Sequence, residues 1–229
     1  MKLGIMQPYF MPYIGYFQLM KAVDKYVVYD DVNYIKGGWV SRNNILVNGE
    51  KKMFTITLNG ASPNKFFNEI EIGDNFKKLI KTLQMNYSKS SHFEPTMALI
   101  EKIISFPNKQ LSLFIVNSFR EILNYLSIDT EILISSELHK DRLLKGKDKV
   151  LHICEILNAD TYYNAIGGQE LYNKKEFKEH GIKLLFLETE IIEYPQHAKE
   201  FVPHLSIIDV LMNNSKEEIN LLLDSYILK

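Results

Sequence analysis

The residues able to do chemistry gather in four stretches of this 229-residue chain. The first, residues 7–16, reads Gln-Pro-Tyr-Phe-Met-Pro-Tyr-Ile-Gly-Tyr. Its two prolines stiffen the backbone. Tyr9, Tyr13 and Tyr16 offer apolar walls with polar tips, a surface suited to sugars, nucleotides and amines. Gln7 adds an amide that needs partners, and Gly15 would let a ligand approach the backbone closely. The second, residues 30–44, sets Asp30, Asp31, Lys36, Arg42 and Asn43 beside Gly37-Gly38 and Trp39, the one tryptophan. An arginine fork grips phosphate or carboxylate through two bonds, and a lysine supplies a compact charge. The plainer alternatives are an inward-packed aromatic loop and a solvated loop with surface ion pairs.

The third stretch, residues 162–172, places Gly167-Gly168 between Tyr163 and Tyr172. A di-glycine after a strand and before a helix could turn backbone N–H groups toward an anion, or it could be a tight turn. It lacks both G-x-G-x-x-G and the P-loop lysine, so dinucleotide and Walker readings are weak. The fourth comprises Tyr194-Pro195-Gln196 and residues 201–209, where Ser206-x-x-Asp209 has capping-box spacing. The same helix start could receive a phosphate. His92, His139, His152, His180 and His197 show no metal-ligand spacing, and Cys154 sits between apolar residues as a buried thiol would.

These stretches need a frame. Lys2–Met6 and Lys25–Tyr29 read as apolar strands flanking a helix over 13–23, a βαβ unit with parallel strands. Trp39–Leu46 and Lys52–Leu58 flank Asn48-Gly49, the signal of a type I′ hairpin. Helices are predicted over 74–86 and 95–105, with Pro95 at a first helical position. Beyond them the pattern alternates, with strands at 130–135, 160–164 and 182–187 and helices at 110–127, 147–158 and 169–180. Gly181 suits a left-handed cap. Ser215-x-x-Glu218 opens a last helix predicted to bury Leu221, Leu222 and Ile227. The expected fold is α/β, a Rossmann-like doubly wound sheet of about five parallel strands with helices on both faces. The chain reads as a single domain over 1–229, with the hairpin and its following helices inserted at about 39–105 before the third strand. Ligands of such sheets bind beyond the carboxyl ends of the strands, where all four stretches fall.

Composition narrows the classes. With 46% hydrophobic and 24% charged residues the chain is globular, and its net charge of −1 argues against a duplex nucleic-acid partner. One cysteine excludes an internal disulfide and a multi-thiolate zinc site, so no metal site is expected. No apolar run is long enough to span a bilayer. A soluble cytoplasmic protein without membrane insertion is expected, with a homo-oligomer left open.

The ordered set of motifs resembles the WbqC-like family. The matching residues are Gln7-Pro8-Tyr9-Phe10, Pro12, Gly15-Tyr16, Asp24, Asp30-Asp31-Val32, Lys36, Trp39 and Arg42-Asn43. Tyr87 with Lys89, the 162–172 block, Tyr194-Pro195-Gln196 and Leu205–Asp209 continue it. The resemblance implies a role in bacterial surface-polysaccharide (O-antigen) biosynthesis, adding an amino acid or acyl group to an amino sugar. A looser resemblance links the βαβ opening to the nucleotidylyltransferases and pantothenate synthetase, where a His-x-Gly-His motif contacts ATP phosphates. Here that stretch is Tyr13-Ile14-Gly15-Tyr16. A phenol lacks the cationic form of imidazole near neutral pH, so ATP with Mg is a cofactor implied only by this looser likeness.

Three functions follow. The first is a transferase forming an amide on a nucleotide-linked amino sugar, with an acyl or amino-acid donor as its second small-molecule partner. Asp30 or Asp31 would orient or deprotonate the amine, and Lys36 and Arg42 would hold anionic charge. Gln7, Asn43 and the aromatic residues would shape the substrate site. The second is an ATP-dependent adenylate-forming ligase, and the third a non-catalytic sugar-nucleotide binder.

Overall fold

Apolar runs alternate with amphipathic helices along the chain, and the computed structural model, which describes residues 1–229, turns that alternation into layers. The chain opens with β1 (Lys2–Met6), α1 (Ile14–Ala22) and β2 (Lys25–Val28). It continues through the hairpin β3 (Arg42–Val47) and β4 (Glu50–Thr55), and the short pair β5 (Leu58–Asn59) and β6 (Glu71–Ile72). Helices α2 (Lys77–Tyr87), α3 (Phe93–Ile104) and α4 (Leu111–Tyr125) lead to β7 (Glu131–Ile134). Then come α5 (Gly146–Ile156), β8 (Thr161–Ala165), α6 (Lys174–Glu179) and β9 (Lys183–Thr189). The chain closes with α7 (Ile207–Asn213), α8 (Lys216–Leu223) and β10 (Tyr226–Leu228).

The main sheet has the order β10-β9-β8-β1-β2-β7. All its pairings are parallel except that of β10 with β9. The five parallel strands are those expected, and helices cover both faces, as in a Rossmann-like fold. From β1 the chain moves outward through β2 to β7, then returns to place β8 on the other side of β1. That reversal opens a crevice beyond β1 and β8, where ligands of such sheets bind.

Strand alternation divides the core. Leu3, Ile5, Val27, Tyr162, Leu184 and Phe186 pack with residues of α5 and α6 on one face. Tyr26, Val28, Tyr163 and Leu187 join the other core with α1 and α4. This larger core runs unbroken into the hairpin and α2, through Ile45, Phe54 and Leu83. Asn48 and Gly49 both have positive φ (54° and 77°), as the hairpin turn requires. The Ser215–Glu218 capping box forms, and no helix is long and apolar enough to cross a membrane.

Four expectations change. Helix α8 buries Ile219 and Leu223, whereas Leu221 is 71% exposed. Ile227 lies in β10 because the chain turns at Asp224 and adds an antiparallel edge strand. Pro95 is the third residue of α3, which starts at Phe93. Asp209 does not complete a capping box with Ser206. Its carboxylate accepts instead from Tyr87 Oη at 2.7 Å, Tyr194 Oη at 2.8 Å and Gln196 Nε2 at 2.7 Å. Burial pushes the Asp209 carboxyl above its usual range, against the pull of these donors.

Tyr87 Oη also accepts the Leu46 N–H at 2.8 Å, so one phenol joins α2, β3 and α7. Tyr87→Phe should cost about 1–3 kcal/mol by stranding a buried N–H and a carboxylate oxygen. Urea denaturation measures this, and an unchanged midpoint would show that the hydroxyl is dispensable.

Candidate functional site

Beyond β1, β8 and β9 lies a cavity of about 460 Å³. Tyr9, Pro12, Tyr13 and Tyr16 form one side, and Trp39 with Asn43, Asn44 and Lys51 comes from the hairpin region. Ile166, Glu188, Thr189 and His204 complete the lining. Tyr9 and Tyr16 stack at 5.2 Å between centroids, and Tyr13 meets Tyr16 edge-on at 6.1 Å. Burial raises the Tyr16 phenol well above its usual value, so it stays protonated as a donor. Its hydroxyl is enclosed and has no protein hydrogen-bond partner. A carboxylate, an imidazole and an ammonium thus share a hollow with three phenols and an indole, suited to a polyhydroxylated ring and to proton transfer.

The walls are held by backbone pairing. Met11 O accepts from Asn43 Nδ2 at 2.8 Å and from Ser206 Oγ at 2.7 Å. Phe10 N donates to Val40 O, Ile207 N to Pro12 O and Ser206 N to Asn44 O, each at 2.8 Å. The loop 7–16, the hairpin and the start of α7 are therefore one unit.

Of the residues singled out in the sequence, Tyr9, Tyr13, Tyr16, Trp39 and Asn43 line this cavity. Gln7 lies beside it, its side-chain oxygen accepting from Tyr9 Oη at 3.3 Å. Arg42 stacks over Trp39 at 5.5 Å, with a buried Nε that has no partner. Gly167 is open to solvent next to Ile166, and Gly168 packs tightly against the Asn164 amide. Lys36 is exposed on the loop before Trp39. Tyr163 is buried in the larger core, and Tyr172 packs edge-on against Tyr162 and Phe177. Gln196 is absorbed in the Asp209 network. Cys154 is fully buried, and burial pushes its thiol up to about 12.

Two phosphate-cradle expectations meet filled space. A Cβ at Gly15 would lie 2.4 Å from the Tyr13 ring and 2.6 Å from the Thr189 hydroxyl, so protein atoms occupy the close approach expected for a ligand. Ser206 is fully buried and spends its hydroxyl proton on Met11 O. The Gly15 stretch, where the looser likeness would seat ATP phosphates, and the helix start at Ser206 are thus taken by the chain's own atoms, and the residues there do not fit that group.

Asp30 and Asp31 part company, as successive residues at a strand end do. Asp30 is 1% exposed, and its two oxygens accept from Ser136 N at 2.9 Å and Ser136 Oγ at 2.7 Å. Burial raises its carboxyl. Asp31 accepts from Ser135 Oγ at 2.7 Å and pairs with Lys149 at 2.8 Å and Lys140 at 2.9 Å. Burial works to raise Asp31, but these donors outweigh it and hold the carboxyl below the ordinary value. Neither aspartate lines the aromatic cavity.

Glu188, Thr189 and His204 fall within the rim segment 188–209 that the strand order points to but carry no individual role in the sequence reading, and Lys51 lies outside every stretch. The available signal was topological: Glu188 and Thr189 end a parallel strand, and His204 precedes a helix on the same rim. Lys51 lies on β4 with no motif around it.

Fold and cavity together define an α/β protein with an aromatic-walled site at the strand-order reversal. The model of the WbqC-like protein family matches residues 7–221, and the chain belongs to that family. It is 27% identical over 222 residues to the uncharacterized protein Rv1507c of Mycobacterium tuberculosis (strain ATCC 25618 / H37Rv), covering 94% of this chain and 95% of that protein. No solved structure matches it.

Because the Asp31 carboxyl is held low in the fold, its contribution to stability is present above about pH 3.8 and is lost as pH falls through the lower folded value. Asp31→Asn should cost about 3 kcal/mol at neutral pH by stranding two lysines, and the gap should shrink below that pH. Chemical denaturation from neutral to acid pH checks this, and a gap independent of pH would contradict the ion-pair account.

Proposed function

We propose that this protein is a transferase that forms an amide on a nucleotide-linked amino sugar, in the setting of bacterial surface-polysaccharide assembly. The observation that carries the reading is the aromatic-walled cavity with Glu188, His204 and Lys51 on its lining. Sugars pack their C–H faces on aromatic rings and spend their hydroxyls on amides and phenols. Tyr9, Tyr13, Tyr16 and Trp39 supply the first kind of surface, and Asn44 the second.

In the step, the sugar amine attacks the carbonyl carbon of an activated acyl or aminoacyl donor. A C–N bond forms, the bond to the leaving group breaks, and the leaving group departs with the electron pair. The amine proton passes to Glu188 or His204, which take the role first assigned to Asp30 and Asp31. Glu188, near the end of β9, is held in place by a pair with Lys229 at 2.5 Å. Lys51 would stabilise the developing oxyanion.

Incubation with UDP- or dTDP-linked amino sugars and a panel of acyl and aminoacyl donors, read by mass spectrometry, should show a sugar nucleotide heavier by the acyl group. Glu188→Gln should lower turnover by about 10²–10⁴-fold with substrate binding retained. No mass gain across the panel sinks the transfer step. Thermal stabilisation by a sugar nucleotide without product would reduce the function to binding alone.

A further inference from the structure

A second cavity, also about 460 Å³, opens beyond the ends of β2 and β7, on the far side of the strand reversal from the aromatic one. Lys140, Arg142, Lys145 and Lys149 line it, and Asp31 is the one carboxylate that does. The Lys140 and Lys149 side chains are only 2% and 7% exposed, and both ammonium groups lean on Asp31. Both also donate to backbone carbonyls, Lys140 to Ser135 O and Lys149 to Asp31 O.

One carboxylate cannot neutralise two enclosed ammonium groups. Asp30 lies behind it, occupied by Ser136. Even with both aspartates ionised, the four cations leave a surplus of two positive charges around the hollow. Of the other acids on this segment, Asp141 accepts the Leu143 N–H, Glu137 is exposed and does not line the hollow, and Asp148 is exposed in the first turn of α5. Buried charge without a counter-charge is costly, and low-dielectric walls concentrate its field on an anion. The backbone adds to the pull, because α5 begins at Gly146, which lines the same hollow and has nothing within 4 Å of where a side chain would stand. Phe66, 42% exposed, and Tyr29 supply an apolar wall large enough for an organic group beside the charge.

We infer that this cavity is a binding site for a diphosphate group, carried on an organic ligand. Arg142 and Lys145 grip it from the rim, and Lys140 and Lys149, held in place by Asp31, meet it from below. The inference does not rest on the acyl-transfer reading, since it concerns binding in a different cavity. It also differs from the phosphate roles first assigned to Lys36, Arg42 and Ser206, none of which lines this cavity.

The test is calorimetric titration of the full chain with pyrophosphate, orthophosphate, ADP and UDP. Pyrophosphate should bind at least about tenfold more tightly than orthophosphate, and its affinity should fall as salt rises. Arg142→Ala combined with Lys145→Ala, both at exposed positions, should weaken pyrophosphate about tenfold or more while leaving the thermal midpoint of the free protein unchanged. ADP or UDP binding more tightly than pyrophosphate supports the organic carrier, and equal or weaker binding overturns the carrier and leaves a site for the free diphosphate anion. Either result upholds the anion site. No binding of pyrophosphate up to about 10 mM overturns it. So does undiminished binding by the double variant, or binding lost on Lys51→Ala instead, which would move the anion to the aromatic cavity. Failure of acyl transfer has no bearing on these readouts, because none requires turnover.

Discussion

The carbonyl of Met11 is the contact on which the rim of the sheet depends. Met11 is fully buried and sits in the left-handed region with φ 46°, which turns its carbonyl toward both Asn43 and Ser206. A non-glycine residue in that conformation costs on the order of 1 kcal/mol. Two side-chain hydrogen bonds and the flanking Phe10–Val40 and Pro12–Ile207 backbone bonds hold it there. Released from that position, the loop 7–16 would no longer bring Tyr9 and Tyr13 against the hairpin, and the aromatic cavity would lose a wall.

This contact also explains why several motif residues that look chemical are frame. Asn43 has both amide ends engaged, one on Met11 O and the other on its neighbour's N–H. Ser206 caps α7 and donates to Met11, and Gln196 and Tyr194 close around Asp209. Buried polar groups must be satisfied, and a polar group satisfied by the chain has little left to offer a ligand. The groups with unspent capacity lie elsewhere. They are the Tyr16 hydroxyl and the Arg42 Nε near the first cavity, and the surplus ammonium and guanidinium charge around the second. The division of labour is spatial: aromatic rings face one hollow at the strand reversal, and cations face another two strands away.

Residue by residue, much of the fold was readable. Apolar runs such as Lys2–Met6 and Lys183–Thr189 can only be buried strands, because each is short and bounded by turn or helix signals. Asn48-Gly49 announced its hairpin through backbone preference alone. The edge strand β10 escaped because Ile227 fits a helical face as well as a strand, and only the turn at Asp224 decides between them. Pro95 misled by two positions because proline is tolerated throughout the first helical turn, where its missing N–H has no intrahelical partner.

The site was half legible for a related reason. Local sequence determined which segments are stiff, aromatic or charged, and it placed them after strands, because strand, turn and helix preferences act over a few residues. It could not determine which side chains would spend their hydrogen bonds on the fold itself. Asp31 meets Lys140 and Lys149 more than 100 positions away in the chain, and Met11 meets Ser206 across 195. Such pairings depend on strand order and on how loops close over one another. Tertiary structure alone therefore decided that Asp30, Asn43 and Ser206 serve the frame, that Glu188 and His204 line one hollow, and that the lysines after β7 line another.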